Sequence, residues 1–148
     1  MSRHTLERET RVPTNLEDTF AFFADAGNLE TITPPWLHFR ILTPLPIEMR
    51  VGATIRYRLR LHGCPLGWTT EITGWNPPHS FVDEQVRGPY GLWTHTHEFK
   101  ETEEGTVVRD RVLYEVPLDR LLHSRFVKKD LDRIFDYRQE AIRKILAQ

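Results

Sequence analysis

The sequence has little cysteine and no long apolar run. Cys64 is the only cysteine among 148 residues, which excludes an intrachain disulfide and fits a reducing compartment. The N-terminal segment MSRHTLERET is polar and cannot serve as the apolar region of a secretory signal. No segment approaches the roughly 20 apolar residues that span a bilayer. These absences predict a cytoplasmic protein with no stable membrane insertion.

Charge of neither sign is in excess. The chain has 20 Lys and Arg residues against 21 Asp and Glu residues, which gives a formal net charge of -1 at pH 7. Without a basic surplus we expect no nucleic-acid partner. Neither a P-loop nor a dinucleotide-binding fingerprint occurs, and we expect no cofactor. A chain of this length suits one domain over residues 1–148, and the sequence leaves monomer and homodimer open.

Local patterns predict a first strand and two short helices near the N-terminus. Residues Thr5–Val12 alternate between polar and apolar side chains and predict a strand that Pro13 ends. A helix then follows Asn15, which is a favourable N-cap, and stops at Gly27. A second short helix is predicted over Leu29–Thr33, before two prolines.

The middle of the chain alternates in the manner of β-strands separated by turn residues. Six further strands are predicted, at Leu37–Leu42, Thr54–Leu61, Trp68–Trp75, Phe81–Val86, Leu92–Glu101 and Thr106–Val116.

A long helix is predicted to end the chain. Asp119 caps it, and it runs from near Leu121 to near Leu146. Its apolar stripe consists of Val127, Leu131, Ile134, Ile142 and Ile145. A helix of this length with one apolar face needs a large concave partner. A curved antiparallel sheet of seven strands is the partner that the sequence offers, so the predicted fold class is α+β.

Three segments carry a resemblance to a known superfamily. They are VPTNLEDTFAFFADAGNLETITPPWL at Val12–Leu37, PPHSFVDEQVRGPYGLWTHTHEF at Pro77–Phe99 and DRVLYEVPL at Asp110–Leu118. Together with the element order β-α-α-β6-α, they resemble the START-type helix-grip (SRPBCC) superfamily, close to its bacterial polyketide cyclase/dehydrase-like proteins. The resemblance covers essentially the whole chain. It implies a sheet that grips the long helix and a hydrophobic cavity between the two.

The segment LWTHTHEF, at Leu92–Phe99, has an unusual face. Alternate side chains of a strand share a face, so Trp93, His95, His97 and Phe99 point to one side. Buried imidazoles need hydrogen-bond partners. Two of them between aromatic side chains suit the wall of a small-molecule pocket.

The same two histidines also suggest a metal site, which needs at least one further ligand. Glu101 follows His97 by four residues, and HTHEFKE is similar to the His-x-His-(x)3-Glu segment of cupin metal sites. Against this interpretation, Val108 occupies the expected downstream glycine position and no second cupin motif follows. We therefore expect no metal.

The following strand offers the histidines a partner. A two-residue turn at Glu104 and Gly105 would fix the register of the hairpin. Asp110 would then be the diagonal neighbour of His97, so we assign a structural role to His97 and a ligand-facing role to His95. The predicted cross-strand pairs are Phe99–Asp110, His97–Val112 and His95–Tyr114.

Other elements complete the candidate pocket. If Phe81 faces inward, Asp83 and Gln85 do so too; the opposite orientation would place Val82, Glu84 and Val86 inside, and we prefer the first. The candidate ligand-binding set is Tyr57, Trp68, Asp83, Gln85, Trp93, His95, His97, Phe99, Asp110, Val112, Tyr114, Leu131 and Ile134.

This mixture of apolar and polar residues favours binding of a small hydrophobic or aromatic molecule between the sheet and the C-terminal helix. The alternative is an enzyme of cyclase, dehydratase or hydrolase type, in which His95 acts as general base and Asp110 tunes it. A third hypothesis is an interaction protein that acts through its outer surface.

Overall fold

The computed structural model describes residues 3–117 and 126–147. Within these residues an antiparallel sheet of seven strands packs against a long C-terminal helix. The strands are β1 (Arg3–Val12), β2 (Arg40–Ile41), β3 (Thr54–Leu61), β4 (Cys64–Asn76), β5 (Ser80–Arg87), β6 (Leu92–Thr102) and β7 (Gly105–Glu115). The helices are α1 (Leu16–Ala24), α2 (Leu29–Ile32) and α3 (Lys128–Ile145). The predicted α+β helix-grip fold is confirmed.

The order of strands in the sheet is β1-β7-β6-β5-β4-β3-β2. The first strand therefore pairs with the last one, while β2 and β1 form the two edges. The strand β6, which carries both histidines, lies inside the sheet between β5 and β7. Polar side chains on both neighbouring strands can thus reach the two imidazoles.

The N-terminal elements follow the predicted signals, with one exception. The side chain of Asn15 accepts a hydrogen bond of 2.8 Å from the backbone N–H of Asp18, which caps α1 as predicted. The predicted strand Leu37–Leu42 is wrong in its extent, because only Arg40–Ile41 pair with β3. A 3-10 turn ends at Leu37, and His38 has a left-handed backbone (φ 48°), which delays the strand.

The hairpin between β3 and β4 is tighter than the sequence indicates. His62 and Gly63 both have positive φ (51° and 83°), as the two central residues of a two-residue hairpin turn require. Leu61 therefore pairs directly with Cys64, and β4 begins there rather than at the predicted Trp68.

The register of the β6–β7 hairpin differs from the predicted one by two residues. Thr102 pairs with Gly105, so the turn residues are Glu103 and Glu104. Gly105 (φ 145°) lies against β1, where an added Cβ would stand 2.1 Å from the carbonyl oxygen of Val12. The glycine thus serves a close backbone approach and not the turn. Because the shift is even, every side chain keeps its face; the observed pairs are Phe99–Val108, His97–Asp110, His95–Val112 and Trp93–Tyr114.

The described part of α3 presents a buried face that combines apolar residues with one arginine, namely Leu131, Phe135, Arg138 and Ile142. The predicted stripe omitted Phe135 and wrongly included Ile145, which is 42% exposed. The predicted start near Leu121 and the cap at Asp119 lie outside the described residues. In the ranges that the structure describes, no helix has the length and apolar character needed to cross a membrane.

Candidate functional site

A cavity of about 190 Å³ lies between the sheet and α3. Strands β3 and β4 form one wall with alternating side chains, and helix α3 covers it from the other side. The surrounding loops and α2 close the end near Ile32 and Leu37. Aromatic rings dominate the walls: Phe23, Phe39, Tyr57, Trp68, Phe81, Tyr90, Trp93 and Phe135 all line the cavity.

Polar groups on the aromatic wall satisfy one another. The indole N–H of Trp68 donates to Thr70 Oγ1 over 3.1 Å, and the hydroxyl of Tyr57 lies 3.0 Å from the same oxygen. Burial raises the pKa of Tyr57, and the nearby negative charge of Asp83 raises it further. The phenol therefore stays neutral at physiological pH.

The other polar group of the cavity consists of Asp83, His95 and His97. Phe81 pairs with His97 across β5 and β6, and Asp83 pairs with His95, which brings all of these side chains to one face. The two imidazole rings stack on each other, with centroids 3.7 Å apart. The ring of Phe81 stacks on the other side of His97 at 4.0 Å.

Each histidine donates to a different carboxylate. His95 Nε2 lies 2.8 Å from Asp110 Oδ1, and His97 Nε2 lies 2.6 Å from Asp83 Oδ2. Because ionised carboxylates only accept, both imidazoles must carry a proton on Nε2. The predicted structural pairing of His97 with Asp110 is therefore wrong: His95 holds Asp110, although the new register sets His97 directly opposite it.

Asp110 also binds the long helix. Arg138 Nη2 donates to Asp110 Oδ1 over 3.2 Å, and the Asp110 residue is only 1% exposed. Burial alone would raise the pKa of Asp110, but the positive charge of Arg138 and the hydrogen bond from His95 outweigh it. The pKa of this carboxyl consequently lies well below its usual range, and the group is ionised at neutral pH.

Asp83 and His97 behave as a buried ionised acid beside a neutral base. Burial opposes ionisation of Asp83, yet the hydrogen bond from His97 holds the pKa of Asp83 below its ordinary value. Burial, together with neighbouring His95, lowers the pKa of His97 to about 4. At neutral pH the pair is therefore a carboxylate that accepts a hydrogen bond from an uncharged imidazole.

Three buried polar atoms of this cluster have no hydrogen-bond partner within the described residues: His97 Nδ1, Asp110 Oδ2 and Arg138 Nε. Native interiors satisfy nearly all such atoms, so their concentration at one place is informative. These atoms need partners that the described residues do not supply.

The structure brings eight members of the predicted set to the cavity: Tyr57, Trp68, Asp83, Trp93, His95, His97, Leu131 and Ile134. The orientation with Phe81 inward is also the observed one, since Phe81 is buried and lines the cavity.

Five predicted pocket residues do not line this cavity, and a role for them in ligand binding stays a prediction. Gln85 instead clamps the β5–β6 turn, where its side chain bonds both the N–H and the carbonyl of Tyr90. The remaining four are buried beside the cavity rather than at its surface: Phe99, Asp110, Val112 and Tyr114.

Sequence reasoning missed two important lining residues. Arg138 occupies the same helical face as Leu131 and Ile142, and a charged residue inside an apolar stripe was a detectable signal. Tyr90 lies in a turn, where alternation gives no information about direction; its ring lies 4.7 Å from that of Trp93.

A group of potential metal ligands exists, but with a different third member from the one considered in the sequence. Asp83, His95 and His97 offer ligand atoms that all lie within 4.8 Å of one another. Glu101 is exposed near the end of β6 and does not belong to this group.

Comparison with known families gives one match over most of the chain. Residues 12–143 match the model of the family described as polyketide cyclase / dehydrase and lipid transport. The sequence matches none of the curated proteins with which it was compared.

Solved structures share the fold at low sequence identity. CV1439 from Chromobacterium violaceum has a TM-score of 0.75 at 11% identity, covering 98% of this chain and 99% of that one. The major latex-like protein 151 of Panax ginseng has a TM-score of 0.71 at 14% identity, covering 99% of each chain. StfQ, a di-domain ARO/CYC protein of the steffimycin biosynthetic pathway, has a TM-score of 0.71 at 16% identity, covering 97% of this chain and 50% of its own. At these identities the similarity shows the fold alone.

A double-mutant cycle will test the observed pairing. Asp110→Asn should lower the free energy of unfolding by about 3–5 kcal/mol, since it leaves the buried guanidinium of Arg138 without its anion. His95→Ala should cost about 1–3 kcal/mol, and the double variant should cost clearly less than the sum. The matched control cycle replaces His97 instead of His95. Stronger coupling of Asp110 to His97 than to His95 in urea unfolding would contradict the assignment.

The stability of the protein should fall on mild acidification. The unfolded His97 binds a proton near pH 6.5, whereas the folded one resists protonation down to about pH 4. Between these values the unfolded state holds more protons, so the free energy of unfolding decreases as the pH falls. The lowered pKa values of Asp83 and Asp110 continue this loss at lower pH.

The wild-type free energy of unfolding should fall by up to about 3 kcal/mol between pH 6.5 and pH 4 because of His97, and His97→Asn should remove this fall. His79→Asn, in an exposed turn, is the control and should keep the wild-type slope. Urea unfolding at half-unit pH steps measures both. An unchanged slope in His97→Asn would show that His97 is not a buried neutral imidazole.

Proposed function

The chain belongs to the polyketide cyclase / dehydrase and lipid transport family, and from this premise we propose that it binds a small hydrophobic or aromatic molecule. The observation that carries the proposal is the cavity between the sheet and α3, whose walls are mostly apolar and aromatic with a few polar atoms at one side. Such a composition is typical of ligand pockets.

The size of the cavity limits its ligand. A dry engineered cavity of about 150 Å³ is known to hold one benzene molecule. The cavity of about 190 Å³ therefore suits a ligand of one or two rings. Apolar burial contributes roughly 25 cal/mol per Å², before the cost of immobilising the ligand.

The candidate entrance lies at one end of α3. An outer depression of about 230 Å³ shares three lining residues with the cavity, namely Leu37, Leu61 and Ile134. Beside them, the guanidinium of Arg133 lies 4.8 Å from the ring centre of Trp36, which is 42% exposed. A ligand passing between these groups would contact Ile134, which lines both spaces.

The test uses prodan, a neutral two-ring dye whose emission shifts to the blue in apolar surroundings. Wild-type protein should bind about one equivalent with a blue shift. Ile134→Trp should weaken binding at least tenfold, because the larger side chain fills the space that a ligand would take. Lys144→Trp adds the same ring on the exposed face of α3 and should bind as the wild type does. Equal binding by all three proteins would contradict a ligand cavity at this place.

A second candidate function is proton abstraction, with His95 as the general base. The hydrogen bond from His95 Nε2 to Asp110 leaves the lone pair on Nδ1, and the ring lines the cavity. A base of this kind needs a free lone pair and an oriented ring. Asp110 and Arg138 would act as positioning residues.

The probe for this second function is 2-tetralone, a two-ring carbon acid. In deuterated buffer, the wild type would speed exchange of its α-hydrogens: the base takes a proton to leave an enolate, and a deuteron returns to the same carbon. His95→Ala should lose this acceleration at least tenfold, while His79→Asn keeps it. Exchange at the buffer rate with the wild type would exclude His95 as a base toward this carbon acid.

A further inference from the structure

The polar side of the cavity offers two hydrogen-bond acceptors, one on His95 and one on Asp83. In the uncharged form of His95 the proton is on Nε2 and directed at Asp110, so Nδ1 is an acceptor. Asp83 uses Oδ2 to accept from His97 and keeps further acceptor capacity on its carboxylate. Within the described residues, His95 Nδ1 receives no hydrogen bond, and Asp83 Oδ2 receives only that of His97.

The cluster contains two ionised carboxylates, Asp83 and Asp110, and one guanidinium, that of Arg138, which is bound to Asp110. Within the described residues, Asp83 is hydrogen-bonded only to His97, whose imidazole is uncharged at neutral pH. An anion buried in apolar surroundings is costly unless a positive partner joins it. The ligand that completes this cluster is therefore a cation and a hydrogen-bond donor.

The spacing of the acceptors fits an ammonium group. His95 Nδ1 and Asp83 Oδ2 are 4.0 Å apart, too far for a bond between themselves. A tetrahedral ammonium nitrogen that donates to two acceptors over about 2.8 Å each would separate them by about 4.6 Å. A small rotation of either side chain closes the difference of a few tenths of an ångström.

The same spacing fits a metal ion less well. Ligand atoms about 2.0–2.1 Å from a tetrahedral metal lie about 3.4 Å apart. Here one pair is closer, with 2.6 Å between His97 Nε2 and Asp83 Oδ2, and another is farther, at 4.0 Å. The parallel stacking of the imidazoles, at 24°, would also have to open for both lone pairs to meet at one point.

The walls beside this cluster suit an organic cation. Phe81 stacks on His97, and the ring of Phe135 lies 5.8 Å from that of His95. Trp68 and Trp93, with ring centres 5.3 Å apart, face the remaining volume. Aromatic faces attract cations and accommodate a flat apolar body at the same time.

We propose that the cavity binds a protonated amine on a one- or two-ring apolar body, with its nitrogen between Asp83 and His95 Nδ1. This inference rests on the proposed binding function and names the ligand class. It gives Asp83 the role of charge anchor. Asp110 and Arg138 act as positioning residues, since they fix the tautomer of His95.

The experiment compares three probes that share an indole and differ in charge: tryptamine (cation), tryptophol (neutral) and indole-3-acetate (anion). Isothermal titration at pH 7 should give tryptamine at least tenfold tighter binding than tryptophol, and indole-3-acetate the weakest. Asp83→Asn removes the charge at nearly constant shape and should reduce the preference for tryptamine over tryptophol to less than threefold. Glu84→Gln removes a charge from the opposite face of β5 and should keep the wild-type order.

Each outcome separates this inference from the function on which it rests. Equal binding of tryptamine and tryptophol by the wild type would contradict the inferred preference for an amine but not the proposed binding of a ligand in the cavity. Tighter binding of indole-3-acetate overturns it in favour of Arg138 as the anchor. Binding of one equivalent of zinc more tightly than tryptamine assigns the cation to a metal and also overturns it. If prodan and all three indoles fail to bind, the proposed function falls and the inference with it. The comparison of the three indoles on the wild-type protein tests the preference for a cation even if Asp83→Asn does not fold.

Discussion

The buried carboxylate of Asp110 is the constraint on which the rest of the site depends. It stands on β7, accepts from His95 on β6 and is held by Arg138 on α3, both through one oxygen. A buried anion of this kind is tolerable only while its donors stay in place. The long helix is therefore fixed over the sheet at Arg138, and the space that remains between them becomes the cavity.

The proton position on each histidine follows from the carboxylate that faces it. Asp110 accepts the hydrogen bond of His95 Nε2, and Asp83 accepts that of His97 Nε2, whose ring stacks on His95. Hydrogen bonds thus join the helix, β7 and β6 through Asp110, and join β6 to β5 through Asp83; the stacked imidazoles lie between these two groups. Asp83 lines the cavity and, within the described residues, is hydrogen-bonded only to the uncharged His97.

The sequence was sufficient for the fold and for the face of each side chain on β6, because strand periodicity depends only on local alternation. It was not sufficient for the hydrogen-bond partners. Gly105 was interpreted as a turn residue, but the reason for a glycine there is the backbone of β1, far away in sequence. The resulting register shift of two residues left each side chain on its predicted face of the sheet but changed its cross-strand partner. Gln85 and Tyr90 were equally hidden, since both act through a turn whose geometry alternation does not describe.

Helix α3 shows the same limit of prediction from sequence. Arg138 was visible in the sequence as a charge on an apolar stripe, but its meaning required the knowledge that Asp110 faces it across the interior. Side-chain pairs between distant elements depend on how the elements pack, and packing is not encoded in any single periodic pattern.

Removal of one member of a buried ionic cluster is costly, whereas replacement of the whole cluster by apolar residues of similar volume is often neutral or stabilising. In this cluster, His97 Nδ1 and Asp110 Oδ2 also have no hydrogen-bond partner among the described residues. Proteins tolerate such local costs chiefly at functional sites, where a preformed polar arrangement is useful to a ligand. The polar cluster beside the aromatic walls is therefore the feature of this fold that most favours the proposed ligand-binding function.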